Sequence, residues 1–291
     1  MSPPQSDVDN ESCIARLLDQ AACLQQVSDT PKLDAQLLLA EVLGCSRASI
    51  VAHPERLVEG ALRQRFSALL QRRQRGEPLA YILGRKGFWD FEVSVDARVL
   101  IPRPETELLV EKSLQCLAGR ENEPLQLLDL GTGSGVMAIA LARHSPTWQV
   151  TATDQSCASL ALARDNARDL GVANIRFVQT SWLDAFSTGN FDLIVSNPPY
   201  VMENDPHLLQ DGLTFEPRTA LVAAEDGLAS LRLIITQAPR YLRSGGWLLL
   251  EHGYDQGPAV TSLFEQAGCP KPRGWQDLAG LDRVTAGRFH P

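Results

Sequence analysis

Segments with strand and helix patterns alternate from about residue 125 to the end of the chain, and this alternation limits the possible folds more than any other feature. The patterns predict strands at 125–130, 149–153, 174–178, 191–196, 247–251, 272–276 and 283–289, and helices at 136–144, 157–171, 227–243 and 257–267. Such alternation is typical of a mostly parallel sheet covered by helices on both faces. We therefore expect an α/β fold with a seven-stranded, mostly parallel, Rossmann-like sheet.

The first part of the chain has a different pattern, which predicts a bundle of helices from about residue 9 to 76. One of them begins at Pro31, a residue favoured at the first helical position, and ends at Gly44. Apolar and polar residues alternate over 87–96, which predicts a strand, and 98–101 is expected to be the returning strand of a hairpin. We expect three parts: a small N-terminal helical-bundle domain at 1–84, a β-hairpin linker at 85–103 and the α/β domain at 104–291.

Composition excludes several classes of protein. The chain has 291 residues and a formal net charge of −8, and bulk nucleic-acid binding needs a basic footprint. Its apolar stretches are far shorter than the roughly 20 residues of a membrane span, and the N-terminus lacks a signal-peptide pattern. The six cysteines include no Cys-x-x-Cys pair, and His53, His144 and His290 have no metal-ligand spacing. We expect a cytoplasmic protein with no metal, no membrane association and no stable nucleic-acid binding.

A basic stretch stands out within this acidic chain. Residues 54–86 contain eight basic and three acidic side chains. A solvated helix face explains such a run, and so does a docking surface for an acidic partner.

A glycine-rich loop, 129–135, follows the first predicted α/β strand and leads directly into a helix. Glycine lets the backbone turn sharply and approach a ligand closely. The dinucleotide fingerprint requires glycine where this chain has Val136, so Gly-x-Gly-x-Gly fits S-adenosylmethionine better. Asp154 ends the second strand, where a carboxylate can accept hydrogen bonds from both ribose hydroxyls. The simpler alternatives are a tight turn for the loop and a helix cap for Asp154.

The most specific segment is Asn197-Pro198-Pro199-Tyr200, at the end of the fourth predicted strand. Prolines fix φ and lack an amide donor, so this turn presents carbonyl oxygens in a rigid array. The Oδ1 atom of Asn197 and the carbonyl of Pro198 can accept both N–H bonds of a planar amino group, and Tyr200 can stack on that group. The alternative is an ordinary strand-terminating turn in which Tyr200 fills the core.

With these motifs, the chain resembles the release-factor glutamine methyltransferase family, of the PrmC or HemK type. The resemblance covers nearly the whole chain and also includes the segments 77–84, 88–89, 101–107, 215–217, 250–253 and 277–285. It implies a methyltransferase domain and a helical substrate-binding domain. It also implies S-adenosylmethionine as methyl donor, S-adenosylhomocysteine as product, and transfer to the N5 atom of the glutamine in the Gly-Gly-Gln motif of class 1 peptide chain release factors.

The resemblance also implies site residues. The cofactor contacts would be Gly131, Thr132, Gly133, Ser134, Gly135, Asp154, Trp182 and Asn197. The substrate would be held by Asn197, Pro198, Pro199 and Tyr200, of which Asn197, Pro198 and Tyr200 are the catalytic candidates. In many family members an acidic residue precedes the position of Trp182, near the adenine; here that residue is Ser181, and Asp184 is the alternative contact.

Two related activities stay as alternatives. Glutamine methyltransferases acting on a ribosomal protein share the tetrapeptide, although the segments 102–107 and 250–253 resemble the release-factor branch more closely. DNA adenine-N6 methyltransferases also use a Pro-Pro-Tyr tetrapeptide, but they need a DNA-reading domain and a basic channel.

Three further expectations concern side chains near these motifs. His252 and His207 are the nearest candidates for a general base, and we expect both to form structural hydrogen bonds instead. Arg103 and Glu105 are placed either at the mouth of the site or between the two domains, and the second placement is the one expected. The N-terminal bundle is expected to grip the protein substrate, because a tripeptide loop offers too little area for a selective interface.

Overall fold

The computed structural model describes residues 13–209, 212–224 and 226–290, so the first residues of the predicted helical region, 9–12, lie outside the described part. The chain divides into two compact units. The first comprises the described residues of Met1–Gly84 and His207–Phe215, and the second those of Arg85–Pro206 and Glu216–Pro291. The sequence patterns do not reveal that a short segment from the second half of the chain belongs to the first unit.

The first unit is a helical bundle, as predicted. Its helices are α1 (Ile14–Asp19), α2 (Pro31–Leu43), α3 (Arg47–Ala52), α4 (Gly60–Gln74) and α5 (Leu79–Leu83), with a 3-10 turn at Gln20–Leu24. Gly44 ends α2 with a φ of 60°, a conformation that costs little only for glycine. The core of this helical unit includes Leu38, Leu39 and Phe66, none of which is accessible to solvent.

Two arginines of the basic stretch form ion pairs within the first unit. Arg73 Nε donates to Asp34 Oδ2 at 2.7 Å, and both side chains are largely buried. Arg72 pairs with Glu77 through two hydrogen bonds. These two arginines therefore stabilise the bundle, whereas Arg65 and Arg75 are exposed.

The segment His207–Phe215 contacts the end of α4 through a glycine. Gly212 has a φ of 77°, and a Cβ atom there would lie 3.0 Å from the carbonyl oxygen of Gly76 and 3.0 Å from Pro78 Cγ. Only glycine permits this backbone conformation at such close approach.

The second unit contains the predicted seven-stranded sheet. Its strands are β3 (Gln126–Leu130), β4 (Gln149–Asp154), β5 (Ile175–Gln179), β6 (Phe191–Ser196), β9 (Leu242–Glu251), β10 (Arg273–Gln276) and β11 (Asp282–Phe289). Their order is β10-β11-β9-β6-β3-β4-β5, and β11 alone runs against the others within this sheet. The helices are α6 (Glu105–Cys116), α7 (Val136–His144), α8 (Cys157–Asp169), α9 (Arg218–Leu221), α10 (Ala229–Gln237) and α11 (Gly257–Gln266). A separate short parallel pair joins β7 (Val201–Met202) to β8 (Val222–Ala223).

The strand order places the two predicted motifs side by side. The chain runs from β3 outward through β4 and β5, and then returns to the other side of β3 as β6. Leu130 at the end of β3 pairs in register with Ser196 at the end of β6. Ligands of open α/β sheets bind at the carboxyl ends of the strands, where the order reverses in this way. The loops that follow β3 and β6 therefore meet at one edge.

The predicted hairpin is present, but the predicted position of its second strand is wrong. The hairpin consists of β1 (Arg85–Phe88) and β2 (Phe91–Ser94), with the turn at Trp89. Alternation continues through that turn because Phe88 and Phe91 lie opposite each other in register and both are buried, so the pattern reads as one long strand. Residues 98–101 are irregular, and the backbone N–H of Ile101 donates to a Glu216 carboxylate oxygen rather than to a strand.

Within the described ranges, no helix has both the length and the apolar character that a membrane crossing requires.

Candidate active site

A cleft lies at the carboxyl ends of β3, β4 and β6, entirely within the second unit. The segment 97–100, expected to be a strand, contributes to its lining instead. The other lining residues come from 102–103, Thr106, 131–134, 136–137, 154–156, Ser159, 180–182, Asn197, Pro199, Pro217 and 219–220. Both predicted motifs, the glycine loop and the tetrapeptide, thus contribute to one cleft.

The glycine loop uses three glycines with positive φ: 71° at Gly131, 55° at Gly133 and 88° at Gly135. A Cβ atom on Gly135 would lie 3.0 Å from Ala163 Cβ, so this glycine also permits close packing of α7 against α8. The loop is joined to β4 by the hydrogen bond from Thr132 N to the carbonyl of Thr153, at 2.8 Å. These constraints leave the loop backbone facing the cleft without side chains at Gly131 and Gly133.

Asp129 is the first residue of the glycine-rich segment, lies within β3 and is fully buried. Thr132 Oγ1 donates to its Oδ2 atom at 2.6 Å. The pKa of Asp129 is raised to about 7, chiefly by burial; the nearby Asp154 contributes to this rise, and the Thr132 hydrogen bond acts in the opposite direction.

Asp154 links the end of β4 to the glycine loop. Its Oδ2 accepts from Gly133 N at 3.0 Å and its Oδ1 from Ser156 N at 2.8 Å. Burial raises the pKa of Asp154, and these two backbone bonds partly offset that effect. A carboxylate has about four acceptor positions, so each oxygen can accept one more bond. The alternative of a helix cap does not hold, because Ser156 caps α8 by accepting from Ser159 N.

Trp182 and Ser181 both line the cleft, whereas Asp184 is exposed and does not. Trp182 has a φ of 44°, which is uncommon for a bulky residue. Its ring faces the glycine loop, since a Cβ atom on Gly131 would lie 3.7 Å from Trp182 Cζ3. Of Ser181 and Asp184, only Ser181 therefore lines the cleft, and the adenine contact stays a prediction.

The tetrapeptide is divided between the cleft and the interior. Asn197 and Pro199 line the cleft, whereas Pro198 is buried beneath them and Tyr200 packs against the core around Ile194. Tyr200 donates its hydroxyl to Glu251 Oε1 at 3.3 Å, and its backbone carbonyl accepts from Gln256 Nε2 at 3.1 Å. Burial raises the pKa of the Tyr200 hydroxyl, which stays protonated. The substrate roles of Pro198 and Tyr200 stay predictions.

A buried hydrogen-bond chain lies behind Asn197, and sequence reasoning missed it. Asn197 Nδ2 donates to Thr106 Oγ1 at 3.0 Å, and Thr106 Oγ1 donates to Glu251 Oε2 at 2.8 Å. Thr106 lies in the first turn of α6, and Glu251 is the last residue of β9, the parallel neighbour of β6. Both residues occur in family segments noted in the sequence, but nothing in those segments indicates that Thr106 contacts Asn197 or that Glu251 contacts Thr106.

Glu251 is completely buried within this chain of bonds. Burial raises its pKa to about 7 and Glu105 adds to that effect, while the bonds from Thr106 and Tyr200 and the charge of Arg283 lower it.

His252 is a structural residue, as expected. Its Nδ1 lies 2.9 Å from the Gly253 carbonyl and its Nε2 lies 2.9 Å from Thr285 Oγ1. Burial lowers its pKa, which keeps the imidazole neutral. Both ring nitrogens are therefore occupied, and no nitrogen is left to act as a general base. His207 belongs to the first unit.

The expected role of Arg103 is wrong. Arg103 lines the cleft and donates to Glu216, a buried carboxylate of the same unit. Glu216 also accepts from the backbone N–H of Ile101 at 3.0 Å. The Arg103–Glu216 ion pair thus joins two segments at the mouth of the cleft. The expectation failed because Arg103 forms a long-range ion pair where the sequence suggested only a linker.

Known proteins match both units. The family model described as PrmC N-terminal domain matches residues 16–84, and the model described as Methyltransferase small domain matches residues 106–212. A structure of the 16S rRNA N2 G1207 methyltransferase of T. thermophilus, in complex with AdoMet and guanosine, is similar in fold only. It has a TM-score of 0.50 and 19% identity, covering 71% of this chain and 50% of that one.

Two curated relatives are much closer. The release factor glutamine methyltransferase of Vibrio cholerae is 48% identical over 266 residues, which cover 91% of this chain and 92% of the relative. The protein of the same name from Escherichia coli K12 is 43% identical over 273 residues, which cover 94% of this chain and 98% of the relative. This chain is therefore an enzyme of the methyltransferase class and belongs to the release factor glutamine methyltransferase family.

Proposed function

We propose that this enzyme transfers a methyl group from S-adenosylmethionine to the N5 atom of the glutamine in the Gly-Gly-Gln motif of class 1 peptide chain release factors. The observation that carries the proposal is the position of Asn197. Its side chain lines the same cleft as the glycine loop and Asp154, and its Oδ1 has no hydrogen-bond partner among the described residues. The names of the curated relatives support the choice of substrate.

The cleft suits S-adenosylmethionine. The residues that would hold the cofactor are Gly131, Thr132, Gly133, Ser134, Gly135, Asp154, Trp182 and Asn197, and all of these except Gly135 line the cleft. Each Asp154 oxygen has capacity for one ribose hydroxyl. When bound, the cofactor supplies a methyl group activated by attachment to a sulfonium sulfur and becomes S-adenosylhomocysteine. The proposal includes no metal, because a sulfonium is already a good leaving group.

The glutamine carboxamide needs alignment more than deprotonation. Its nitrogen is a poor nucleophile because the lone pair is delocalised into the carbonyl. Asn197 Oδ1 and the Pro198 carbonyl would each accept one N–H bond of the carboxamide, which directs the nitrogen and excludes water from it. These acceptors strengthen as positive charge develops on that nitrogen, so they stabilise the transition state more than the ground state. With both nitrogens of His252 occupied, the proton is lost to solvent after transfer.

The units have separate proposed roles. The helical unit that includes residues 13–84 would grip the release factor, since the motif alone offers too little area for selective binding. We keep as proposals the domain limits of 1–84, 85–103 and 104–291 and a cytoplasmic location, where translation termination takes place. No stable nucleic-acid binding is expected from a chain of net charge −8.

A transfer assay with labelled S-adenosylmethionine tests this proposal. The enzyme is incubated separately with a class 1 release factor, with ribosomal proteins and with DNA, and the label is located by mass spectrometry. We expect label on the release factor, lost when the motif glutamine is replaced by alanine. Label on a ribosomal protein or on adenine, with none on the release factor, would replace this proposal with one of the two alternatives.

A further inference from the structure

The hydrogen-bond chain behind Asn197 has one direction when Glu251 is ionised. Thr106 Oγ1 lies 2.8 Å from Glu251 Oε2 and 3.0 Å from Asn197 Nδ2. Thr106 is 4% exposed and Glu251 is 1% exposed, so water does not compete for these groups. The second oxygen of Glu251 accepts from the Tyr200 hydroxyl. Both carboxylate oxygens are thus engaged by hydroxyl donors.

The direction follows from counting protons. An ionised Glu251 only accepts hydrogen bonds, so the single hydrogen of the Thr106 hydroxyl is donated to the Glu251 carboxylate. The same oxygen can then only accept from Asn197, so the NH₂ end of the Asn197 amide must face Thr106. The Oδ1 end must face the cleft. Rotating the amide would place two acceptors, Asn197 Oδ1 and Thr106 Oγ1, against each other, and a buried group left without a partner costs about 1–3 kcal/mol.

We propose that Thr106 and Glu251 are positioning residues that orient the Asn197 amide and thereby make the cleft select a carboxamide over a carboxylate. This inference rests on the proposed function of the same cleft. With Oδ1 outward, Asn197 accepts an N–H bond from a glutamine side chain. A glutamate side chain offers only acceptors at neutral pH, so it would meet Asn197 Oδ1 without a hydrogen between them.

Such a site is selective because it excludes a substrate whose acceptor oxygen would face another acceptor. A site built to hydrogen-bond one group rejects an analogue that cannot complete the bond, because buried polar atoms are then unpaired. An Asn197 amide free to rotate would present either end, accepting glutamine or donating to glutamate. The positioning pair removes that freedom. The discrimination between the two substrates should therefore depend on Thr106.

The test compares two variants of Thr106, one that matches threonine in shape and one that retains its hydroxyl group. Thr106→Val keeps the shape and removes the hydroxyl, whereas Thr106→Ser keeps the hydroxyl. Thr236→Val, on the exposed face of α10, is the control for the same exchange elsewhere. Methyl transfer is measured with a class 1 release factor as substrate. A release factor in which the motif glutamine is replaced by glutamate serves as competitive inhibitor.

We expect Thr106→Val to lower kcat about tenfold or more while the KM for S-adenosylmethionine changes little, as befits one misdirected hydrogen bond. Thr106→Val should also bind the glutamate-containing inhibitor more tightly relative to the normal substrate. The ratio of the affinities for these two release factors should narrow about fivefold or more, which corresponds to a free-energy difference on the order of 1 kcal/mol. Thr106→Ser should restore both values to near those of the unchanged enzyme. Thr236→Val should match the unchanged enzyme.

Two results would overturn the inference: unchanged kcat and selectivity in Thr106→Val, or the same loss in Thr106→Ser as in Thr106→Val. If Thr106→Val does not fold, as judged by its thermal transition, Thr106→Ala provides the same comparison with a smaller side chain. Failure of the proposed function looks different, because the unchanged enzyme itself would then leave the release factor without label.

Discussion

The carboxylate of Asp154 accepts a hydrogen bond from the backbone N–H of Gly133, at 3.0 Å, which joins the end of β4 to the glycine loop after β3. The same carboxylate lines the cleft and retains acceptor capacity toward it. One residue thus shapes the loop and offers oxygens to a ligand. A substitution of Asp154 should therefore affect cofactor binding both through the shape of the loop and through the lost acceptor oxygen.

Replacing Asp154 with Asn should weaken S-adenosylmethionine binding at least about tenfold. The amide keeps the shape but replaces one acceptor oxygen with a donor, which then faces either a backbone N–H or a ribose hydroxyl, and a lost charge-assisted hydrogen bond costs about 1.5–3 kcal/mol. Calorimetric titration measures the affinity. Asp184→Asn is the matched control and should leave it unchanged, because Asp184 is exposed and outside the cleft. Equal weakening by both variants would return the adenine contact to Asp184.

Replacing Asn197 with Ala should lower kcat about a hundredfold or more, in the range seen when one hydrogen-bonding group that stabilises a transition state is removed. The affinity for S-adenosylmethionine should fall much less, since the glycine loop and Asp154 are intact. Asn190→Ala, at an exposed loop position, is the control and should keep full activity. An unchanged kcat in Asn197→Ala, with cofactor still bound, would remove Asn197 from the mechanism.

Replacing Gly135 with Ala should destabilise the protein by about 1–3 kcal/mol. The new Cβ would lie 3.0 Å from Ala163 Cβ, on a residue whose φ is 88°. Denaturant unfolding gives the free energy of unfolding. Gly87→Ala is the control, because its φ lies outside the left-handed region and a Cβ there would meet nothing within 4 Å. That substitution should change the free energy by no more than about 0.5 kcal/mol.

The buried Glu251 should make the protein less stable as pH rises. Burial raises its pKa from 4.5 to about 7 in the folded protein, so the folded state binds its proton more tightly than the unfolded state. The stability that this proton contributes is complete below about pH 4.5 and is lost as pH rises through about 7. The glutamine of Glu251→Gln has no titrating proton. The free energy of unfolding of this variant should therefore rise relative to that of the unchanged enzyme as pH increases across this range.

Urea unfolding at a series of pH values checks this prediction, with Glu265→Gln on the exposed side of α11 as the control. The comparison isolates Glu251, because Asp129, whose pKa is also raised to about 7 by burial, is present in both proteins. A difference between Glu251→Gln and the unchanged enzyme that does not vary with pH would contradict the prediction.

The sequence by itself determined the strands of the seven-stranded sheet and the two motifs of the cleft, but not helix α6 or the second strand of the hairpin. The helix at Val136–His144 and the strand at Phe191–Ser196 lie at their predicted limits. Helix hydrogen bonds are local, and buried parallel strands are continuous apolar runs, so periodicity along the chain is enough to find both. The rule that ligands bind at the carboxyl ends of parallel strands then brings the glycine loop and Asn197 together.

The tertiary structure alone decided which distant side chains meet. Asn197 touches Thr106, 91 positions earlier, and Thr106 touches Glu251, 145 positions later. These contacts follow from the pairing of β6 with β9 and from the placement of α6. No local pattern records them, because an isolated threonine or glutamate has the same sequence signature whether it is solvated or buried. The same reason explains the Arg103–Glu216 pair, whose partners lie 113 positions apart.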